Sequence, residues 1–356
     1  MTIWPSLFNN VHINFAYKTF KWGNEAKGKK AAVHCVIIGF SDYKNNKEKK
    51  IFDSNTQLKI VSNINPYLVD APNTLIERRN NPISDSPKML AGNKPVDYNA
   101  LKIEPSEYKI FVDKEPQSLT YIRKMVGAEE LINKKERYCL WLINCPPNDL
   151  RKMPMALEKV QMCRDKRLKS KKAITRKLAA VPTLFAEIRQ PNSRYLLIPA
   201  VSSERRTYIP MDFMDENYIP VGTLFIENAT LYHFGVLTSS VHMAWMRAVA
   251  GRRGMSYSYS NQIVYNNFPW PNPTEEQKKK IEKTAQMILD ARAKYPNSSL
   301  ADLYNELTMP PELRKAHQMN DVAVMEAYGF DWRHMTESDC VAKLMEMYQK
   351  LVKEKD

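Results

Sequence analysis

Apolar positions near the N-terminus predict two β-strands. Residues 11–16 alternate between apolar and polar side chains, and residues 31–40 form a nearly continuous apolar run. Such a run is typical of a strand that is covered on both faces. Residues 17–22 and a polar, basic turn over residues 23–30 connect the two strands. Because two strands do not form a stable domain, we expect residues 1–62 to be the C-terminal remnant of an α/β domain, with its other strands absent or supplied by another chain.

Proline dominates the next segment. Residues 63–115 contain six prolines, several of them preceded by Asn or Ser. Proline fixes φ and removes a backbone donor, so this pattern predicts extended, loop-like chain. We interpret residues 63–115 as a linker and the start of the next domain.

Residues 116–272 mix both periodicities. Helical spacing is predicted over residues 117–126, 154–178 and 241–249, and strands over residues 194–201, 205–211, 221–227 and 230–237. Ser239 or Ser240 is expected to cap the helix over residues 241–249, and Gly251 to end it. We therefore predict a mixed, β-rich domain over residues 116–272.

The C-terminal segment, residues 273–356, has a helical pattern throughout. Thr274 and Gln277 have the spacing of a capping box, and an apolar stripe from Val341 to Val352 predicts a final helix. The predicted fold class is α+β: the end of an α/β domain, a mixed β-rich domain and a helical C-terminal domain.

The net charge and the lengths of the apolar stretches indicate the kind of partner and the location of the protein. The formal net charge is +14, with 53 Lys and Arg against 39 Asp and Glu. Such a surplus favours a polyanionic partner, nucleic acid first. No apolar stretch approaches the roughly 20 residues that span a bilayer, and no secretory signal is present. We therefore expect a cytoplasmic protein without a membrane partner.

Cofactor and metal chemistry have no candidate residues in this chain. The five cysteines form no C-x-x-C pair, and the ten glycines form no G-x-G. A structural zinc site, a disulfide framework and a glycine-rich phosphate loop are therefore not expected. The proline-containing stretch Asn266–Pro271 has the wrong order for the Asn/Asp-Pro-Pro-aromatic loop of adenine methyltransferases, and we interpret it as structural.

Three basic stretches are candidates for DNA contact. Residues 151–177 include Lys171 and Lys172, which could neutralise phosphates or belong to a solvated helix face. Residues 202–208 offer hydroxyls for phosphates and two arginines for guanine; the alternative is an ion pair between Glu204 and an arginine. Residues 247–259 combine arginines, tyrosines and serines, and their alternative role is a helix C-cap. The candidate DNA-binding residues are Lys171, Lys172, Ser202, Ser203, Arg205, Arg206, Arg247, Arg252, Arg253, Tyr257 and Tyr259.

Longer blocks resemble a known family. Residues 13–26 and 31–40 resemble the end of the methyltransferase domain in single-chain restriction–modification enzymes of the MmeI type (type IIG/IIL). The family's linker and target-recognition domain are similar to residues 65–68, 82–92, 138–142, 202–210, 229–248 and 259–271, and its C-terminal domain is similar to residues 321–330.

The resemblance implies a function. Such enzymes transfer a methyl group from S-adenosylmethionine to N6 of adenine in a defined duplex sequence, and the recognition domain selects that sequence. No residue here matches the family's cofactor or catalytic motif, so the resemblance assigns no catalytic or cofactor-binding residue, and we expect no methyl transfer from this chain alone. A cloned fragment, a truncated gene and a specificity subunit that joins a separate catalytic chain all fit this expectation, as does a non-catalytic interaction domain.

Overall fold

Fifteen strands lie in the described part of the protein. The structure is a computed structural model, which describes residue 7 and residues 10–22, 33–43, 48–52 and 58–354. The strands are β1 His12–Trp22, β2 Val33–Ser41, β3 Lys49–Phe52, β4 Leu58–Val61, β5 Leu90–Ala91, β6 Lys102–Ile103, β7 Ile122–Val126, β8 Tyr138–Leu140, β9 Tyr195–Pro199, β10 Val201–Ser203, β11 Asp212–Met214, β12 Ile219–Pro220, β13 Thr223–Glu227, β14 Gly251–Arg253 and β15 Ser256–Ser258.

The helices concentrate in the second half of the chain. The α-helices are Pro105–Lys114, Ala128–Asn133, Pro147–Arg151, Pro154–Leu168, Ala173–Lys177, Leu231–Leu237, Ser240–Val249, Glu275–Ala293, Leu300–Leu303, Pro311–Ala327 and Glu337–Lys353. Short 3-10 turns at Pro116–Tyr121 and Leu178–Ala180 and a π-helical turn at Asn261–Tyr265 complete the described helical structure.

The N-terminal strands form a four-stranded sheet in the order β2-β1-β3-β4. Both predicted strands are present, but β1 continues to Trp22, through residues that we had interpreted as a connection. The expectation that β2 is covered on both faces is wrong for this chain, because Val36, Ile37 and Phe40 are 46%, 46% and 56% exposed. The predicted turn over residues 23–30 lies outside the described residues.

The proline-rich segment is mostly loop up to Glu104, as predicted, with turns near residues 66–71 and 97–101, but several of its apolar side chains are buried. Ile76, Ile83 and Met89 pack into the main core of the protein. The prediction of loop-like chain is wrong for Pro105–Lys114, which is a helix. Pro105 occupies the first helical turn, where its missing N–H costs nothing, and the Glu107 carboxylate accepts a hydrogen bond from the backbone N–H of Glu104 at 3.2 Å.

Three sheets form the middle of the chain, in the orders β11-β9-β13-β5, β12-β7-β8-β6 and β10-β15-β14. The predicted helix over residues 117–126 is instead a 3-10 turn followed by β7. Ile122, Met125 and Val126 have the i, i+3, i+4 spacing of a helix face, but pairing with β8 and β12 makes this segment a strand.

Two further strand predictions are wrong. Residues 230–237 form the helix Leu231–Leu237, whose side chains from Phe234 to Leu237 are all buried, so no polar position marked a helical period. Gly235 packs so closely that an added Cβ would lie 2.6 Å from Ile281 Cγ2. Residues 205–211 form turns and irregular chain.

The C-terminal helices share one hydrophobic core with the β11-β9-β13-β5 and β10-β15-β14 sheets, whereas the β12-β7-β8-β6 sheet packs on a separate core with the helix Pro154–Leu168. The shared core joins Leu196 and Trp245 to Ile281, Val324 and Leu344. The predicted N-caps are present: Ser239 Oγ accepts from the His242 N–H, and Thr274 and Gln277 form a capping box. The prediction that Gly251 ends its helix is wrong, because Ala250 is the C-cap and Gly251 begins β14. The predicted α+β class is confirmed. In the described ranges, no helix is both long and apolar enough to cross a bilayer.

Candidate nucleic-acid interface

A β-hairpin and a neighbouring strand bring two of the three candidate stretches together. β14 and β15 form the hairpin, and β10 pairs with β15. Gly254 lies in the connecting turn with φ +60°, a left-handed conformation that glycine adopts without a Cβ penalty. Residues 205–206 follow β10 directly, so they lie beside the tip of the hairpin.

The register divides the side chains of this small sheet between two faces. Cross-strand partners share a face and successive residues alternate. Ser202, Tyr257 and Arg252 form one row, and Ser203, Ser256 and Arg253 form the next. Ser202 and Tyr257 are buried, so the first row faces the protein, although Arg252 at its edge is exposed, and the second row points outwards.

In the first row, Arg252 and Tyr257 contact each other, and Arg252 also pairs with a carboxylate of the protein. The Arg252 guanidinium lies 4.1 Å above the Tyr257 ring, donates to the Tyr257 hydroxyl at 3.1 Å and pairs with Glu204 at 3.0 Å. Desolvation raises the pKa of the Tyr257 hydroxyl. The prediction that Ser202 and Tyr257 contact DNA is therefore not supported by their positions, and Arg252 is held by protein groups.

Two other candidate residues also have protein partners. Tyr259 is buried, with its hydroxyl 2.7 Å from His242 Nε2, and burial lowers the pKa of His242 to about 3. Arg247 forms a bidentate ion pair with Glu337, with both nitrogen–oxygen distances 2.8 Å. Both side chains join the helix Ser240–Val249 to its neighbours. Burial of Tyr259 contradicts its interpretation as a DNA contact, whereas a DNA contact by the partly exposed Arg247 stays a prediction.

The outward row and the turn after β10 carry unpaired arginines. Arg205 and Arg253 are exposed and Arg206 is partly buried, and none of the three pairs with a carboxylate in the described part of the chain. Burial lowers the pKa of the Arg206 guanidinium, with no carboxylate raising it again. We call Ser203, Arg205, Arg206, Arg253 and Ser256 the arginine face.

Lysines 171 and 172 lie elsewhere. Both are exposed between the helices Pro154–Leu168 and Ala173–Lys177, away from the hairpin. Arg167, in the same basic run, is fully buried and donates to the carbonyls of Pro95, Val96, Leu178, Val181 and Leu184. Its role is structural, so this member of the run cannot neutralise a phosphate.

The ion pair between Glu204 and an arginine, the alternative role of residues 202–208, is present, but its partner is Arg252 rather than an adjacent arginine. The sequence did not identify this partner, because Arg252 is 48 positions away. Sequence analysis missed His34 of β2, whose Nε2 lies 3.1 Å from the same carboxylate.

The structural interpretation of Asn266–Pro271 is confirmed. The buried Asn266 amide donates to Arg79 O at 2.7 Å, and the Asn267 amide donates to Glu77 O at 2.8 Å. These amides hold the proline-rich segment against the core. Among the described residues, no group of three or more His, Cys, Asp or Glu has the arrangement of a metal site.

Comparisons with known proteins agree on one family. Family models match residues 1–53 ("MmeI, DNA-methyltransferase domain"), 70–272 ("MmeI, target recognition domain") and 273–355 ("MmeI, C-terminal domain"). DNA methyltransferase A of Bacillus subtilis (strain 168) is 38% identical over 351 residues, which are 98% of this chain and 40% of that protein.

A solved structure gives the same answer at the level of the fold. The type IIL restriction-modification enzyme MmeI, in complex with DNA, superposes with a TM-score of 0.91 at 44% identity, covering 99% of this chain and 48% of the MmeI chain. The chain thus spans less than half the length of either relative. Because the target-recognition model alone covers more than half of its residues, the chain belongs to the MmeI family of restriction–modification DNA methyltransferases.

Proposed function

We propose that this chain recognises a defined sequence in double-stranded DNA, as the target-recognition portion of an adenine-N6 methyltransferase. The observation that carries the proposal is the arginine face, where Arg205, Arg206 and Arg253 project from a β-hairpin and the turn beside it, with no carboxylate partner among the residues that the structure describes. The major groove of DNA admits a two-stranded β-ribbon, and arginine reads guanine there through two parallel hydrogen bonds.

The small side chains of the outward face support this geometry. Ser203, Ser256 and Ser258 flank Arg253, and Gly251 has no side chain, so base edges could approach the sheet closely. The serine hydroxyls are suited to phosphate or base contacts. The MmeI structure that this chain resembles is a complex with DNA, and the net charge of +14 favours the same partner.

We propose methyl transfer as an activity of the complete enzyme, not of this chain alone. The family model for the methyltransferase domain matches residues 1–53, and S-adenosylmethionine is the methyl donor that the family implies. We assign no catalytic or cofactor-binding residue in this chain. Selection of the DNA sequence is the part of the reaction that we attribute to residues described here.

Selection from a pool of randomised duplexes tests the proposal. We expect the 356-residue chain to enrich one sequence. Arg253→Ala and Arg205→Ala should each weaken binding to the enriched duplex by about 5- to 150-fold, equivalent to about 1–3 kcal/mol, and relax the preference at one base pair. Lys279→Ala, on the helix Glu275–Ala293, is the control. Failure of the chain to enrich any sequence would refute the proposal.

A second candidate is a stand-alone specificity subunit that pairs with a separate catalytic chain. The exposed apolar side chains Val36, Ile37 and Phe40 on β2 favour it, because an uncovered edge strand is a surface for pairing. Co-purification with the matching catalytic chain tests this candidate. Substitution of Val36 and Ile37 by Thr should weaken the association, and an association that is unaffected contradicts it.

A further inference from the structure

A second surface lies between the turn at residues 96–99 and the loop at residues 170–172. Its walls enclose a cleft of about 370 Å³, lined by Val96, Tyr98, Ser170, Lys171, Lys172 and Thr175. We call it the Tyr98 cleft. The cleft is separate from the arginine face, because the two surfaces share no residue.

One wall is a strained turn. Val96, Tyr98 and Asn99 all have left-handed φ angles, of 46°, 53° and 60°. Such angles are uncommon for non-glycine residues, and for a β-branched or bulky side chain they are true outliers. Strain of this kind persists only where surrounding contacts impose it, and it clusters at ligand-binding sites.

Buried polar groups impose this conformation. The Arg167 guanidinium donates to Pro95 O and Val96 O, both at 3.0 Å. The buried Asp97 carboxylate accepts from the backbone N–H groups of Asn99 at 3.2 Å and Leu101 at 2.9 Å. As a result Val96 and Tyr98, 40% and 51% exposed, are held towards solvent instead of the core.

The opposite wall is cationic and apolar at once. Lys171 and Lys172 are exposed, and neither has a carboxylate partner in the part of the chain that the structure describes. Arg176 fixes their loop by donating to Ser170 O and Lys171 O, both at 2.9 Å. Ile174 is 73% exposed beside them. Residues 164–177 contain eight basic residues and one acidic residue, which makes the wall complementary to a polyanion.

We propose that the Tyr98 cleft grips the sugar–phosphate backbone of duplex DNA without reading its bases. Lys171 and Lys172 bind phosphates, for which a compact ammonium group is suited, and Tyr98 contacts the sugars. This contact adds affinity and fixes the orientation of the protein on the duplex, whereas the arginine face selects the sequence. The inference rests on the proposed function, and it assigns backbone binding and sequence selection to two different surfaces.

Salt-dependent binding tests the inference on the full 356-residue chain. We expect Lys171→Ala/Lys172→Ala to weaken binding equally to the enriched duplex and to a scrambled one. The slope of log K against log salt should become shallower by about 1.8, since each lost phosphate contact removes about 0.9. Tyr98→Ala should lower affinity for both duplexes without changing the slope, and Tyr98→Phe should restore it.

Lys279→Ala/Lys283→Ala removes the same charge from exposed positions on another helix and is the matched control. If the Lys171/Lys172 variant has the slope of this control, the inference is overturned, even when the unmodified chain still selects a sequence. If the unmodified chain selects no sequence, the proposed function fails instead. A change of base preference in the Lys171/Lys172 variant would also overturn the inference, because it would make the cleft a reader of bases.

Discussion

At the scale of single residues, Arg167 shows how burial changes the role of a charged side chain. Within a run of lysines and arginines it is indistinguishable from a phosphate ligand, yet its guanidinium satisfies five backbone carbonyls inside the protein. Arginine suits this position because its planar fork presents five donors in fixed directions.

Arg167→Met should therefore destabilise the protein by about 3 kcal/mol or more, because buried carbonyls lose their donors. Urea unfolding measures the change. Arg164→Met, at an exposed position one turn earlier on the same helix, should stay within about 0.5 kcal/mol of the original protein. Equal effects at the two positions would contradict the structural role.

The buried histidine His242 predicts an acid-sensitive fold. Burial lowers its pKa from 6.5 to about 3, so its neutral form stabilises the protein above about pH 6.5, and this contribution is lost as the pH falls towards 3. The buried Asp321 acts in the opposite direction, because burial raises its pKa to about 6 and the folded state gains stability as the pH falls below 6.

We expect His242→Gln to flatten the decline of unfolding free energy between pH 6.5 and pH 4, measured by urea unfolding at several pH values. His334→Gln, at an exposed position, is the control and should retain the original decline. A His242 variant with an unchanged pH profile would show that protonation of this ring does not limit stability in acid.

At the scale of elements, the local spacing of apolar residues predicted some helices and strands correctly, whereas tertiary contacts overrode it in others. Apolar residues at i, i+3 and i+4 correctly predicted the helices Ser240–Val249 and Glu275–Ala293, whose N-caps are also visible in the sequence. This spacing was misleading at β7, where strand pairing determined the structure, and the strand prediction failed at Leu231–Leu237, a helix with most of its residues buried. Short apolar segments carry too few polar positions to reveal their period.

The hairpin that carries Arg253 depends on one backbone conformation. Gly254 has φ +60° while Gly251 does not, and an added Cβ meets nothing within 4 Å at either position. Gly254→Ala should therefore destabilise the hairpin by about 1–2 kcal/mol, whereas Gly251→Ala should be nearly neutral. Amide hydrogen exchange of residues 252–257 compares the two variants, and equal protection in both would contradict a requirement for glycine in the turn.

At the scale of the whole molecule, one core unites the β11-β9-β13-β5 and β10-β15-β14 sheets with the C-terminal helices, whereas the β12-β7-β8-β6 sheet has a separate core. The shared core includes Ile76 from the proline-rich segment, Trp245 from the middle and Leu344 from the last helix. The N-terminal sheet has a separate, small core around Ile13, Ile51 and Val61.

This division predicts two different results of truncation. Removal of residues 273–356 should abolish protection of the main core, because this core loses Ile281, Val324 and Leu344. Removal of residues 1–61 should leave that protection intact. Amide hydrogen exchange at Leu196 and Trp245 distinguishes the outcomes, and full protection of these two residues in a chain of residues 1–272 alone would contradict a shared core.

Sequence alone determined the fold class, the helical C-terminus with its caps, the basic character of the surface and, through long blocks of resemblance, the family. These features depend on local spacing, on total charge or on the identity of many residues in order. Only the tertiary structure decided which arginines are free. Arg167, Arg247 and Arg252 are held by carbonyls or carboxylates distant in sequence, whereas Arg205, Arg206 and Arg253 have no carboxylate partner within the described chain. Composition cannot distinguish these groups, because the partner of a charge is set by how distant segments pack against each other.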